Sequence, residues 1–154
     1  MTLQIIETKP TDVEVEPLIE NLSLELGQRF GNTGKNSFQV WDEENPKSVF
    51  VKAISENEVV GCGAIRPLSN EVAELKRMYS KYNRKGIGKG VLVYLENKAI
   101  ELGYKEIWLE TRRLNYEACT FYIKNNYKEI SNYGKYIGNE KATCFGKKFI
   151  TKKQ

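Results

Sequence analysis

Apolar positions along the chain follow two rhythms, and the switches between them outline the elements. Residues 3–7 read as a short first strand. From Val15 to about Phe30, Val15, Leu18, Ile19, Leu22, Leu26 and Phe30 recur at three- and four-residue spacing, the stripe of an amphipathic helix, and Gly31-Asn32-Thr33-Gly34 ends it. The polar stretch 34–47, around Phe38, Val40 and Trp41, fits a short helix or a loop. The period then falls to two. Residues 48–54 form a strand, Glu56-Asn57-Glu58 a hairpin turn and residues 59–65 the antiparallel return, with Gly61 and Gly63 inside it. Ser69-Asn70 turns the chain into a longer strand over 72–79. A helix opens at Gly86, with Ile87, Val91, Leu92, Leu95, Ala99 and Leu102 on one face and Gly103 placed for a left-handed cap. Strand 106–110, helix 116–124, strand 127–131 and strand 143–150 complete the chain. The pattern predicts an α/β fold with a mixed sheet of about seven strands, its middle strands joined by hairpins.

At 154 residues and 40% hydrophobic content the chain is long enough for one core, and no linker or repeat divides it, so residues 1–154 read as a single domain. No apolar run is long enough to span a membrane. The first ten residues lack the basic start and apolar stretch of a secretion signal, which predicts a cytoplasmic protein. Cys62, Cys119 and Cys144 are odd in number and widely spaced, arguing for reduced thiols and against both a disulfide framework and a metal site. There is no histidine. That excludes serine–histidine and cysteine–histidine nucleophiles and imidazole-dependent zinc sites, and leaves acid–base work to Glu, Asp, Tyr, Lys, Cys or water.

Net charge is only +4, but Lys76, Arg77, Lys81, Arg84, Lys85 and Lys89 fall within residues 76–95, where there is no acidic residue. They surround the glycine-rich run Arg84-Lys85-Gly86-Ile87-Gly88-Lys89-Gly90, with a strand leading in and a helix leading out. Such a junction suits a phosphate: glycines let the backbone approach, the amides of the first helical turn point outward, and the helix dipole adds roughly half a positive charge. A solvated glycine turn is the plainer alternative. The nucleotide motifs fail, since Asn83 stands at the first glycine of a Walker A loop, Gly90 replaces its Ser or Thr, and Val91 breaks GxGxxG. Without a stacking platform or a base-reading motif, the basic stretch does not predict nucleic-acid binding.

Asn83-Arg84-Lys85-Gly86-Ile87-Gly88, after Leu75-Lys76-Arg77-Met78-Tyr79, resembles the acyl-CoA-binding motif of the GNAT superfamily of N-acetyltransferases, with Asn83 at a position where Arg or Gln is usual. Asn115-Tyr116-Glu117-Ala118 through Tyr122 to Asn126-Tyr127 resembles that family's second block, Asn126 standing for its customary glycine. The likeness extends over most of the chain. It implies the GNAT fold, a mostly antiparallel sheet flanked by helices on both faces. It also implies direct transfer of an acetyl group from acetyl-CoA to a small-molecule or peptide amine, without a metal. A non-catalytic acyl-CoA sensor of the same fold is the alternative, and a homodimer is compatible with either.

The resemblance also implies site roles. Tyr122 corresponds to the acid that protonates the departing thiolate, its phenol having a reference pKa of about 10. Glu74 corresponds to a strand glutamate that acts as general base in several members, and Glu110 on the neighbouring strand is the other candidate. Met78, Tyr79 and Ser80 would pair with the pantetheine arm, with an amide near Met78–Tyr79 polarising the acetyl carbonyl. Arg84, Lys85, Gly86, Ile87, Gly88, Lys89 and Gly90 would hold the pyrophosphate. Asn115 would bond the cofactor or cap its helix. Acceptor recognition would fall to residues 25–45 and 131–142, where Tyr133, Tyr136, Asp42, Glu43 and Glu44 are candidates for meeting a cation.

Overall fold

The computed structural model describes residues 2–20, 45–83 and 85–150. Strands β1 (Gln4–Thr8), β2 (Val49–Ser55), β3 (Glu58–Pro67) and β4 (Val72–Ser80) precede helix α1 (Ile87–Glu101). Strand β5 (Glu106–Arg112), helix α2 (Tyr116–Lys124), strand β6 (Lys128–Ile130), a 3-10 turn (Gly134–Tyr136) and strand β7 (Ala142–Lys148) follow. They build one seven-stranded sheet in the order β1-β2-β3-β4-β5-β7-β6. β4 and β5 are parallel, and the other neighbours are antiparallel. The α/β class and the mixed, mostly antiparallel sheet follow the sequence pattern, but the last strand enters between β5 and β6.

Local chemistry accounts for the elements. Glu56 and Asn57 take φ of 51° and 65°, the left-handed pair that a tight hairpin in a twisted sheet requires. Asn126, at φ 72°, takes the same conformation just beyond α2, at the position where the family carries glycine. α1 buries Ile87, Val91, Leu92, Leu95 and Ala99 against Val49, Val51, Ala53, Ile65 and Leu75. It can approach so closely because β3 carries glycines beneath it: a Cβ at Gly61 would stand 2.6 Å from Ile87, and one at Gly63 2.6 Å from Val91. On the opposite face Val15 joins Phe50, Cys62 and Ala64, with Ile19 packed against them. Helices therefore cover both faces. The helix expected from Val15 to Phe30 is helical over 16–20, and its continuation lies outside the described residues.

β4 carries a bulge that the alternation pattern did not predict. Its register against β3 shifts between Cys62↔Tyr79 and Ala64↔Lys76, and Arg77 takes φ 59°. One extra residue reverses which side chains face the core. Ala73 and Leu75 pack under α1 before the bulge, and Met78, rather than Arg77, joins that core after it, while Tyr79 turns to the opposite face.

Candidate active site

The expected phosphate loop lies between β4 and α1. Gly86, at φ 74°, is the residue before α1, and no side chain caps the helix start or places an acid in its first turn. The first intrahelical bond runs from the Gly90 amide to the Gly86 carbonyl at 3.0 Å, so the amides of Ile87, Gly88 and Lys89 precede the helical ladder. A Cβ at Gly86 would meet nothing within 4 Å, so the backbone there faces open space. At Gly88 a Cβ would lie 3.4 Å from the Phe121 ring and 3.8 Å from Ser80 Oγ, so the loop, the end of β4 and α2 converge at this glycine. Lys85 and Lys89 are exposed beside it, and Arg84 lies outside the described residues. Ile87 is 1% exposed and contributes backbone only. A Cβ at Gly90 would press on Leu3 at 3.0 Å, so that glycine lets the start of the chain approach α1. Lys81 and Tyr82 turn away to Glu58.

The sheet opens next to this loop. β4 pairs with β5 only at Val72↔Glu106, Ala73↔Ile107 and Glu74↔Trp108, so β5 does not cover the β4 edge from Leu75 to Ser80. Met78, Tyr79 and Ser80, all half-buried, line that edge, and β5 continues as Leu109, Glu110, Thr111 and Arg112 paired only to β7.

Tyr122 of α2 is buried in the core on the α1 side of the sheet. Its ring sits edge-on to Phe121 at 5.1 Å and to Tyr127 at 5.6 Å. Burial alone pushes the phenol's pKa up, with no hydrogen-bonding group contributing. Asn115 is the N-cap of α2, its side chain accepting from the Ala118 amide at 3.2 Å. The capping role expected for it is thus filled, and its Oδ1 is committed.

The opposite side of the opening carries a polar cluster. Glu74, 2% exposed, accepts from Arg66 Nε at 3.0 Å on one oxygen and from the Tyr133 hydroxyl at 2.7 Å on the other. Lys76 Nζ donates to the Tyr136 hydroxyl at 3.3 Å. The Tyr133 ring lies 5.2 Å from Trp108 and 5.5 Å from Tyr136. Glu110, two residues past the last β4–β5 pair, is half-buried, and burial pushes its carboxyl above the usual range, against the pull of Arg112, Lys76 and Lys135. The sequence named both glutamates and both tyrosines but missed Arg66, Lys76 and Trp108. Strand period places Lys76 on the Glu74 face and would have found it, whereas Arg66 reaches Glu74 only through the β3–β4 register. Asp42, Glu43 and Glu44, with residues 25–44, lie outside the described residues. The thiols are not reactive centres: burial raises Cys62 to about 12 and pushes Cys119 and Cys144 up as well.

A family model described as acetyltransferase (GNAT) family matches residues 16–127. The chain belongs to the GNAT acetyltransferase family. It is 27% identical over 128 residues to the uncharacterized N-acetyltransferase YjgM of Escherichia coli, covering 74% of this chain and 77% of that one. Two crystal structures share the fold. A proposed acyl-CoA N-acyltransferase of Klebsiella pneumoniae superposes with TM-score 0.83 at 23% identity, covering 97% of this chain and 99% of that one. The PaiA N-acetyltransferase of Thermoplasma acidophilum, solved with coenzyme A, does so with TM-score 0.74 at 24% identity, covering 97% and 100%. This GNAT chain is thus an acyltransferase with coenzyme A thioester as its family's donor. Among the described residues no helix is long and apolar enough to cross a membrane, and no group of His, Cys, Asp and Glu is arranged to hold a metal ion.

Proposed function

We propose that this GNAT enzyme moves the acetyl group of acetyl-CoA directly to an amine, both substrates being held together in the opening between β4 and β5. The observation that carries the reading is the parting of those strands after Glu74↔Trp108, beside a helix start with neither side-chain cap nor acid. The open backbone at Gly86 fits the pyrophosphate, with the amides of Ile87, Gly88 and Lys89 and the charges of Lys85 and Lys89 around it and Arg84 adjacent in sequence. The β4 edge at Met78, Tyr79 and Ser80 would take the pantetheine arm as an added strand, an amide near Met78–Tyr79 receiving the charge that develops on the carbonyl oxygen. When bound, the thioester supplies an activated acyl group and a good leaving thiolate.

The chain's own residues handle the two protons. As the amine nitrogen bonds to the acetyl carbon and the carbon–sulfur bond breaks, the amine proton passes to a carboxylate and Tyr122 gives its phenolic proton to the thiolate. Glu110 suits the first role better than Glu74. Both Glu74 oxygens already hold strong donors, whereas Glu110 has a raised pKa and follows the point where β5 leaves β4. Glu74 instead ties β4 to Tyr133 and so anchors the segment over the cluster. Free thiols at Cys62, Cys119 and Cys144 support a cytoplasmic home.

Two measurements test the reading. Coenzyme A should raise the melting temperature, by an amount equivalent to about 2.7 kcal/mol at a hundredfold excess over Kd. Thiol release from acetyl-CoA should then depend on an added amine from a panel. A folded protein whose melting ignores millimolar coenzyme A would remove the donor site, and thiol release unaffected by every amine would remove the transfer.

A further inference from the structure

We propose that the acceptor amine also carries a carboxylate, and that Lys76, seconded by Lys135, is the residue that recognises it. The inference rests on the acetyl transfer proposed above and names the class of its substrate.

Lys76 stands on β4 two residues after Glu74 and therefore on the same face of the sheet. Its side chain is only 10% exposed, yet its ammonium is poorly matched by its surroundings. Of its three donors one reaches the Tyr136 hydroxyl at 3.3 Å. The nearest carboxylate oxygen, Glu74 Oε1, is 3.8 Å away and already accepts from Arg66. Among the described residues two donors of this buried cation are left without a close acceptor, which is costly unless a ligand completes the site. A second ammonium group shares the Tyr136 ring, which lies 6.0 Å from Lys76 Nζ and 5.5 Å from Lys135 Nζ. Burial disfavours the charge on Lys76, with Glu74 and Glu110 opposing it and Lys135 and Arg66 adding to it.

Both signs of charge act at this place: Lys76, Lys135 and Arg66 on one side, Glu74 and Glu110 on the other. An amino acid or a similar small amine bearing a carboxylate satisfies both signs: its amine goes to Glu110, its carboxylate to the lysines beside Tyr136, and its body packs on Trp108 and Tyr133. Glu110 couples electrostatically to Lys76 and Lys135 alike.

The test compares matched amines, amino acids against their amides, in thiol release from acetyl-CoA. The acid of each pair should have kcat/KM about tenfold or more above its amide, because a site built to bond a polar group rejects the analogue lacking it. Lys76→Met should raise KM for the acids about tenfold and shift KM for the amides far less, so that the acid-to-amide ratio of KM values rises. Lys135→Gln, on the exposed surface, should move KM for the acids in the same direction by a smaller factor, and it carries the comparison where Lys76→Met melts early. Equal kcat/KM for acids and amides, or transfer to neutral and cationic amines alone, would overturn the inference and leave the acetyltransferase reading standing. A folded protein that does not bind coenzyme A at all would overturn both.

Discussion

At the scale of single residues, the two proposed proton carriers, Tyr122 and Glu110, differ in what sets their pKa, and that difference is measurable. Tyr122 is raised by burial, so its phenol keeps its proton throughout the neutral and mildly alkaline range and is ready to donate. Tyr122→Phe keeps the ring among Phe121, Tyr127 and Phe145 while removing the proton, so kcat should fall about 100-fold with the coenzyme A-induced melting shift unchanged. Wild-type kcat in this variant would take Tyr122 out of the mechanism. Glu110 accepts a proton only when ionised. Its raised pKa therefore sets an acid limb in kcat/KM that begins above the ordinary glutamate value and deepens as pH falls. Glu110→Gln should lower the rate about 100-fold and abolish that limb. Glu74→Gln, by contrast, leaves Arg66 facing a neutral amide and should lower the melting temperature more than it changes the pH profile.

At the scale of elements, the junction of β4 with α1 is the proposed donor site, and its two glycines answer to different constraints. Gly86 is held at φ 74°, where any side chain is strained whatever the space around it. Gly88 has helical geometry and ordinary contact with Phe121 at 3.4 Å, so its Cβ alone is tolerable while branched methyls are not. Gly88→Ala should fold with a near-normal melting temperature and weaken coenzyme A binding. Gly88→Val should lose binding by a further tenfold or more as its methyls reach Phe121 and the loop. Unchanged coenzyme A affinity in Gly88→Val, read by calorimetry, would place the phosphate elsewhere.

At the scale of the whole molecule, the N-terminal helix is pinned to the sheet by charge as well as by Val15. Asp12 accepts from Thr8 at 2.6 Å and from Lys52 Nζ at 2.7 Å, and Lys52 also reaches Glu14 at 2.8 Å. Hydrogen bonds from Lys52 and then Thr8 lower the Asp12 carboxyl to about 2, and Asp12 raises Lys52 in return. A depressed carboxylate stabilises the fold fully above its unfolded value of about 3.9, and that contribution disappears as pH falls towards 2. The raised lysine acts at the other end, its contribution lasting up to its unfolded pKa and disappearing as pH rises through the folded one. Asp12→Asn should therefore lower stability at pH 7 by about 1 kcal/mol, solvent screening included, and flatten the loss of stability between pH 4 and pH 2. Chemical denaturation at the two pH values measures it, and an unaltered slope would show the ion pair to be energetically idle.

Sequence and tertiary structure divided the determination of this protein along physical lines. Elements were legible because their causes are local: the period of Val91, Leu92, Leu95 and Ala99 makes α1, Asn57 makes its hairpin, and Gly86 opens a helix on a positive φ. The glycine-rich junction of β4 with α1 was legible for the same reason, since a strand, glycines, basic residues and a helix start fall within a dozen positions. What brings distant residues together was not. The bulge at Arg77 exchanges which side chains face α1, and β5 parts from β4 before Glu110, which pairs with β7 alone. Register sets Arg66 opposite Glu74, Tyr133 reaches the same carboxylate from far along the chain, and Glu110 stays half-buried. Lys76 meets Tyr136, sixty positions away in the chain. Pairing register and burial are properties of the assembled sheet, so only the fold could decide that Glu74 is bonded on both oxygens while Glu110 stays half-buried with a raised pKa.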